Sequence, residues 1–302
     1  MNAEIPILTI LVAWPLVAAL VLWLVRPLHG AARTYGIAVS LVEVGLAVVA
    51  VTLFDVTHAA SVQLTEQASW IPAIGASWAL GVNGLGLTMV LLAVALVPIV
   101  MVARHPGEGG PDWGWVVLVL LLTSTVVAVF AARDVFLFYV LFEAMLFPVY
   151  FLVGRYGGPD RRRAALKFLL YSLAGGLIML VGVVALHGYG PGGEQAYLID
   201  NLAGNLTASV EAEQLLFVSF FIAFAIKAPM VPVHTWLPDT TQQADSGTST
   251  LLVGVLDKVG TFGMIAILLP LFPQASAWAA PVVIVLAVVS IIWGGLVALA
   301  QR

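Results

Sequence analysis

Residues 215–239 read LLFVSFFIAFAIKAPMVPVHTWLPD. The stretch begins as an apolar run typical of a membrane-spanning helix and then contains Lys227, three prolines and a histidine. Pro229 and Pro232 lack backbone N–H groups, so they predict a break in the helix just after Lys227. Broken helices at membrane depth are tolerated where the freed backbone is buried in protein or lines a water-filled cavity, and in transporters they mark ion sites. We therefore predict an interrupted helix over 215–238 at an ion site, with a simple kink for helix packing as the alternative.

The composition of the whole chain is that of a membrane protein. Of its 302 residues, 62% are hydrophobic and 9% are charged, and the mean hydropathy is +1.07. Soluble domains have about 45–50% apolar and about 25% charged residues. The chain contains no cysteine, which excludes disulfides, thiolate metal sites and iron–sulfur clusters within it. We expect a multi-pass protein in a lipid bilayer that binds no cofactor, no metal ion and no nucleic acid, so that any redox chemistry belongs to a partner.

Apolar runs of bilayer-spanning length recur along the chain and predict an all-α polytopic fold whose seventh span is broken. The stretch at about 55–84 alternates polar and apolar residues and predicts an extended hairpin outside the membrane. The nine predicted spans lie at about 5–26, 33–54, 83–103, 113–132, 135–153, 164–187, 215–238, 247–269 and 279–300.

The distribution of Lys and Arg predicts the orientation of these spans. The loops after spans one, three and five carry basic residues and are expected to be cytoplasmic, whereas the loops after spans two and six carry only acidic ones. The N-terminus is therefore expected outside, and Arg133 is the exception to the pattern. The run 157–163 could bind phosphate or nucleic acid, but a positive-inside anchor is the simpler interpretation. The basic residues in the predicted cytoplasmic loops are Arg26, Arg33, Arg104, Arg155, Arg161, Arg162 and Arg163.

Ionisable side chains inside predicted spans are candidate functional residues, because a charge at the bilayer centre costs roughly 2.5–3.5 kcal/mol on the insertion scale. Glu143 lies in the fifth span and Lys227 in the seventh. One interpretation is a structural ion pair that fixes helix packing. The other is a proton path, in which a carboxylate controls whether a buried lysine is charged. Pro229 and Pro232 would open the wet gap that such a path needs.

Four further ionisable residues are weaker candidates. Asp257 and Lys258 are adjacent, so their side chains point about 100° apart on a helix. Lys258 is the better candidate for the proton path, with a snorkelling or structural role as its alternative, and whether Asp257 takes part in the path stays open. His234 follows Lys227 and would share its face in an unbroken helix, so it is either a proton relay or a hydrogen-bonded structural histidine. Glu43 has no visible partner and could make a structural contact, a lateral contact to another subunit, or carry a proton.

Two segments together resemble the antiporter-like membrane subunits of respiratory complex I, the proton-translocating NADH–quinone oxidoreductase. They read LFYVLFEAMLFPVYFLVGRYGGPDRRRAALKFLLYSLAGGLIML and FAIKAPMVPVHTWLPD, and a lysine follows in the next helix. Among these subunits the chain is most similar to subunit M, the bacterial counterpart of mitochondrial chain 4. The resemblance implies a non-redox module that moves protons while partner subunits carry electrons.

The resemblance also implies residue roles and partners. Glu143, Lys227, His234 and Lys258 match the family's proton-translocating positions. NADH, FMN, iron–sulfur clusters and quinone are expected in partner subunits of the respiratory chain, and neighbouring antiporter-like subunits are expected beside this one. The implied location is the bacterial inner (plasma) membrane.

The chain departs from the family pattern in two ways. Thr241, Asp245 and Ala266 stand where the family has a histidine, a proline and an arginine, so the resemblance does not support a relay through residue 241. The family also has two inverted repeats, whereas only the start of the second repeat is expected in this chain.

A related cation/proton antiporter or membrane-bound hydrogenase subunit is the alternative function, and a scaffold without transport is the third. We expect three N-terminal helices with the hairpin in 1–110, the proton-translocating repeat in 111–270, and the start of a second, truncated or split, repeat in 271–302.

Overall fold

The structure, a computed structural model, describes residues 5–104 and 112–300. It is predominantly helical, as predicted. The α-helices are α1 Ile7–Leu24, α2 Ala32–Leu53, α3 Gly84–Ala103, α4 Asp112–Ala131, α5 Val135–Ala144, α6 Leu146–Tyr156, α7 Arg161–Tyr189, α8 Ile199–Leu202, α9 Val210–Lys227, α10 Trp236–Gln243, α11 Ser246–Leu251, α12 Asp257–Gly263, α13 Leu269–Leu271 and α14 Pro273–Ala300.

Among the described residues, eight helical segments are long and apolar enough to cross a membrane, and the predicted count of nine is not confirmed. The difference is α9, which carries Glu211, Glu213 and Lys227 within 18 residues. Its apolar stretch between Glu213 and Lys227 is shorter than the about 20 residues that a straight span needs. The eight segments are Ile7–Leu24, Arg26–Leu53, Gly84–Ala103, Asp112–Ala131, Val135–Tyr156, Arg161–Tyr189, Ser246–Leu271 and Pro273–Ala300.

Two predicted spans are less regular than the sequence analysis expects. The fifth, 135–153, is divided at Met145 into α5 and α6, because Pro148 has no N–H to bond the carbonyl four residues earlier. The eighth, 247–269, contains two π-helical segments, Leu252–Leu256 and Met264–Leu268, on either side of α12. π-helical turns inside α-helices occur frequently at functional sites.

Strands β1 (Gln63–Ile71) and β2 (Ala76–Val82) pair antiparallel within the stretch for which the sequence predicts a hairpin. β1 also anchors the first helix, since the carboxylate of Glu66 accepts the backbone N–H groups of Leu8 and Thr9 at 2.7 and 2.9 Å. A carboxylate at a helix N-terminus satisfies donors that have no partner within the helix. The location of the hairpin outside the membrane stays a prediction.

Asp134 links β2 to the start of α5. Its two carboxylate oxygens accept the backbone N–H groups of Leu137 and Ser77, each at 2.9 Å, and the side chain is fully buried. Burial raises the pKa of Asp134, and the two backbone hydrogen bonds act in the opposite direction. This turn fixes where α5 begins and so how deep Glu143 lies along it.

Helices from the three predicted domains pack against one another in the core. α4 is buried on most of its surface and packs against α1, α3 and α6, and the Ser124 hydroxyl donates to the Val12 carbonyl at 2.7 Å. α9 packs against α7, α12 and α14. Helices therefore contact one another across both predicted domain boundaries, of which the one at 110 lies outside the described residues. The division of the chain into 1–110, 111–270 and 271–302 stays a prediction.

Candidate functional site

Lys227 is the last residue of α9 and is enclosed by the helices around it. Its side chain is 1% exposed, and among the described residues Nζ has no hydrogen-bond partner. Nζ lies over two aromatic rings instead, 5.2 Å from the centroid of Phe142 and 5.1 Å from that of Phe168. A desolvated cation–π contact contributes on the order of 2 kcal/mol, and the negative end of the α9 dipole adds to it. The site thus encloses the amino group of Lys227 against two aromatic faces without a direct hydrogen-bond partner among the described residues.

The backbone beside Lys227 is broken as predicted, and the carbonyl of Ile226 that the break frees is paired. Met230 N–H donates to the carbonyl of Ala225 at 2.9 Å, so the carbonyl of Ile226 loses its usual helical partner. The indole N–H of Trp236 donates to that Ile226 carbonyl at 2.8 Å. The tryptophan of the HTWLPD motif therefore stabilises the helix end at which the lysine lies.

Glu143 faces the same interior from the end of α5. Its Oε1 is buried without a hydrogen-bond partner among the described residues, and the carboxyl interacts electrostatically with Lys227. Space for the carboxyl exists because α7 has a glycine opposite it. A Cβ atom at Gly176 would overlap Glu143 Oε1 and would lie 2.8 Å from Oε2.

Asp257 approaches Lys227 from a third helix. It is 7% exposed, its Oδ1 has no hydrogen-bond partner among the described residues, and it interacts electrostatically with Lys227 and Lys258. Gly260 allows α12 to come this close, because a Cβ there would lie 2.5 Å from Ala228 N and 2.6 Å from the Phe224 carbonyl oxygen. Lys227 is therefore placed near two carboxylates on two different helices.

Lys258, which the sequence favours over Asp257, points the other way. Its side chain is exposed, and Nζ donates to the carbonyl of Val253 at 3.2 Å. His234 lies in the non-helical segment 228–235, so the shared helical face with Lys227 is lost. Its Nδ1 is buried without a hydrogen-bond partner among the described residues, and its ring contacts Trp293 of α14 at a centroid distance of 6.3 Å.

Glu43 lies away from this group, on α2, which packs against α1, α3 and α4. Its side chain is 0% exposed, and both oxygens lack hydrogen-bond partners among the described residues. The carboxyl faces the interior of the chain, which contradicts a lateral contact to another subunit. The other two interpretations of Glu43 stay open.

A buried cluster of charged residues at the predicted cytoplasmic side was not predicted from the sequence. Arg104, predicted to lie in a cytoplasmic loop, is 4% exposed, and its guanidinium contacts Asp112 at 2.6 Å and Asp245 at 4.0 Å. Asp245 also accepts hydrogen bonds from the Thr248 hydroxyl at 2.5 Å and the Trp115 indole at 3.3 Å. The sequence signal for this cluster was the aspartate at 245, where the family has proline. Asp245 caps α11, and its contacts with Arg104 and Trp115 connect α11 to α3 and α4.

Comparisons with known proteins identify the family of the chain. Residues 132–302 match the family described as NADH:quinone oxidoreductase/Mrp antiporter, transmembrane. The chain is 37% identical over 335 aligned residues to NADH-quinone oxidoreductase subunit M of Mycobacterium tuberculosis, covering 99% of this chain and 60% of that protein. It thus spans about 60% of the length of this curated relative.

Two solved structures share the fold. A chain of respiratory complex I from Thermus thermophilus with bound NADH is similar with a TM-score of 0.84 and 32% identity, covering 98% of this chain and 60% of that one. A chain of the Mrp complex from Dietzia sp. has a TM-score of 0.76 at 21% identity, covering 89% of this chain and 29% of that one, which shows a common fold. The chain therefore belongs to the NADH:quinone oxidoreductase/Mrp antiporter transmembrane family.

Proposed function

We propose that the chain is a proton-translocating membrane subunit of an NADH–quinone oxidoreductase of the complex I type, corresponding to subunit M. The observation that carries the proposal is the enclosed Lys227 at a helix break, near Glu143 and Asp257 but bonded to neither. The similarity to a protein named NADH-quinone oxidoreductase subunit M, over 99% of this chain and 60% of that protein, supports the assignment to the complex. On this proposal electrons pass from NADH to quinone in partner subunits that hold FMN and iron–sulfur clusters, and this chain performs no redox step.

The chemistry of the chain is the gain and loss of a proton at Lys227 Nζ. A negative charge on Glu143 or Asp257 stabilises the ammonium form, and neutralisation of these carboxyls favours the neutral amine. A direct, hydrogen-bonded ion pair would hold the proton, because a buried charge that loses its partner costs about 3–5 kcal/mol. An arrangement without direct contact lets modest displacements of a carboxylate change the charge of the lysine. His234 and Lys258 are the proposed onward carriers.

The proposed setting is the bacterial inner membrane, with the N-terminus outside and other antiporter-like subunits alongside. The many exposed apolar side chains of α14 and α2 suit contact with lipid or with neighbouring membrane subunits. The positive-inside distribution of Arg supports the orientation.

The test is NADH-driven proton uptake by inverted membrane vesicles that contain the assembled complex. Lys227→Ala removes the protonatable group, and Lys227→Arg keeps a charge that does not dissociate. Both variants are expected to lose most of the NADH-driven proton pumping, because each removes a group that can gain and lose a proton inside the membrane. The control is Arg26→Ala, which removes an exposed cation outside the site. Normal pumping by both lysine variants at wild-type levels of assembly would refute the proposal.

A cation/proton antiporter subunit is the second candidate, favoured by the shared fold with a chain of the Mrp complex. Both functions can use the same buried lysine and carboxylates. Affinity purification through this chain separates them. Recovery of FMN and iron–sulfur absorbance with the complex supports the oxidoreductase, whereas a stable complex without redox centres supports the antiporter.

A further inference from the structure

The broken segment 228–235 is held in its middle by a helix that the sequence analysis assigned to a different repeat. The backbone N–H of Val231 donates to Ser290 Oγ of α14 at 3.0 Å. The Ser290 hydroxyl in turn donates to the carbonyl of Leu286 at 2.7 Å. Because its own proton is directed along α14, the Ser290 oxygen presents a lone pair to Val231.

This hydrogen bond has a specific place among the bonds at the break. Pro229 and Pro232 have no N–H, and the N–H groups of Ala228 and Met230 bond back to α9 at 2.7 and 2.9 Å. The Val231 N–H lies between the two prolines, where the chain has left α9 and α10 has not yet begun. A backbone N–H at membrane depth needs a partner, and Ser290 supplies it from another helix.

Trp293 extends the same face of α14 by one helical turn. Its ring packs edge-on against His234, with centroids 6.3 Å apart and planes at 74°. Among the described residues His234 Nδ1 has no hydrogen-bond partner, so packing rather than hydrogen bonding at that nitrogen orients the ring. Ser290 and Trp293 therefore contact the segment at two points, one on its backbone and one on its histidine.

We propose that Ser290, assisted by Trp293, is a positioning residue that fixes the broken segment and through it the site that begins at Lys227. The inference rests on the proposed function and deepens it. α14 becomes a part of the proton-translocating site rather than only the first helix of a further repeat. Ser290 itself exchanges no proton with the path; it acts through the backbone of the segment that joins Lys227 to His234.

The experiment uses the absence of cysteine from this chain. A single cysteine is introduced by Val233→Cys in the broken segment, and its labelling by a membrane-permeant maleimide is measured on this chain within the assembled complex. Ser290→Ala, Ser290→Thr and Ser276→Ala are each compared in this background. Ser276 is the matched control, because it lies on the same helix and its hydroxyl has no hydrogen-bond partner among the described residues.

Ser290→Ala is expected to raise the labelling rate of Val233→Cys by several-fold and to lower proton pumping by on the order of tenfold, because an N–H at membrane depth loses its acceptor. Ser290→Thr keeps the hydroxyl and is expected to restore both quantities to within about twofold of the parent. Ser276→Ala should change neither. A loss of pumping that threonine restores separates positioning from general destabilisation.

An unchanged labelling rate in Ser290→Ala overturns the inference whatever pumping does. Raised labelling with undiminished pumping also overturns it, provided that Lys227→Ala loses pumping in the same membranes. If Lys227→Ala pumps normally, the proposed function has failed. The labelling comparison then still decides whether Ser290 holds the segment, so the two failures are distinguishable.

Discussion

Gly176→Ala tests whether the carboxyl of Glu143 must lie where α7 leaves room for it. An alanine Cβ would overlap Oε1 and lie 2.8 Å from Oε2, closer than van der Waals contact. Either the carboxyl or α7 must move. Overpacking of this kind costs about 1–3 kcal/mol. Replacement of a helical glycine by alanine also stabilises a helix by about 1 kcal/mol, so the net loss of folding stability is only about 0–2 kcal/mol.

The effect on function is expected to exceed the effect on stability. If the 1–3 kcal/mol falls on the position of Glu143, the population with the native carboxyl position drops roughly 5- to 150-fold. NADH-driven pumping in vesicles should fall within that range, while the amount of assembled complex changes little. The displaced carboxyl no longer acts on Lys227 from its native position, so on the proposed mechanism Glu143 no longer sets the charge of the lysine.

Gly188→Ala is the matched control, because Gly188 lies on the same helix α7 and a Cβ there meets no atom within 4 Å. It should pump like the wild type. Glu143→Asp provides a second test, since its shorter side chain leaves room for the new methyl group. The loss caused by Gly176→Ala should therefore be smaller in the Glu143→Asp background. Equal pumping by Gly176→Ala and Gly188→Ala would refute the argument that the carboxyl position matters.

Substitutions at three further positions test other parts of the structure, each by thermal denaturation of the detergent-solubilised complex. Asp245→Ala removes the hydrogen-bond acceptor of Trp115 and Thr248 and a charged neighbour of Arg104, so it should destabilise the chain by about 1–3 kcal/mol. A melting temperature equal to that of the wild type would contradict the buried cluster. Asp134→Asn should also destabilise the chain by about 1–3 kcal/mol, because one of the two accepting oxygens becomes an NH₂ group that faces a backbone N–H. An Asp134→Asn variant as stable as the wild type would argue against that pairing. Glu213→Ala should lower the stability of the chain more than Glu213→Gln does, because Oε1 accepts two backbone N–H groups at the start of α14 and only glutamine keeps an acceptor there. Equal losses of stability would show that the charge alone matters.

The break at Lys227 was predictable because two prolines and a charge coincide there. The same reasoning applied to Pro148 would have divided the fifth span, but the apolar run continues across it and hides the break. Hydropathy reports what a segment can bury and is silent about its hydrogen-bond register. In α9 the error has another cause. Its first turn contains acidic residues, so the sequence-based boundary was placed at 215, whereas the helix begins at Val210.

The orientation of Asp257 and Lys258 could not be predicted from residue spacing. Adjacent residues point about 100° apart on a helix, and each π-helical turn inserts about one residue and rotates the following face by a similar angle. The π segment Leu252–Leu256 comes just before this pair. It therefore decides which of the two side chains faces Lys227. That register depends on how Gly260 packs against the end of α9, a contact between distant parts of the chain.

The three charged residues at the centre of the proposal share one structural property. Glu143 lies next to the last residue of α5, Lys227 is the last residue of α9, and Asp257 is the first residue of α12. Each charge thus lies at or next to an end of a regular helix, and the interruptions have different origins: a proline, a proline-rich segment and a π turn. At such points the backbone can change its hydrogen-bond register without breaking a whole helix. If Lys227 alternates between the influence of Glu143 and that of Asp257, the required displacements are confined to these three ends, and the packed helices between them stay fixed.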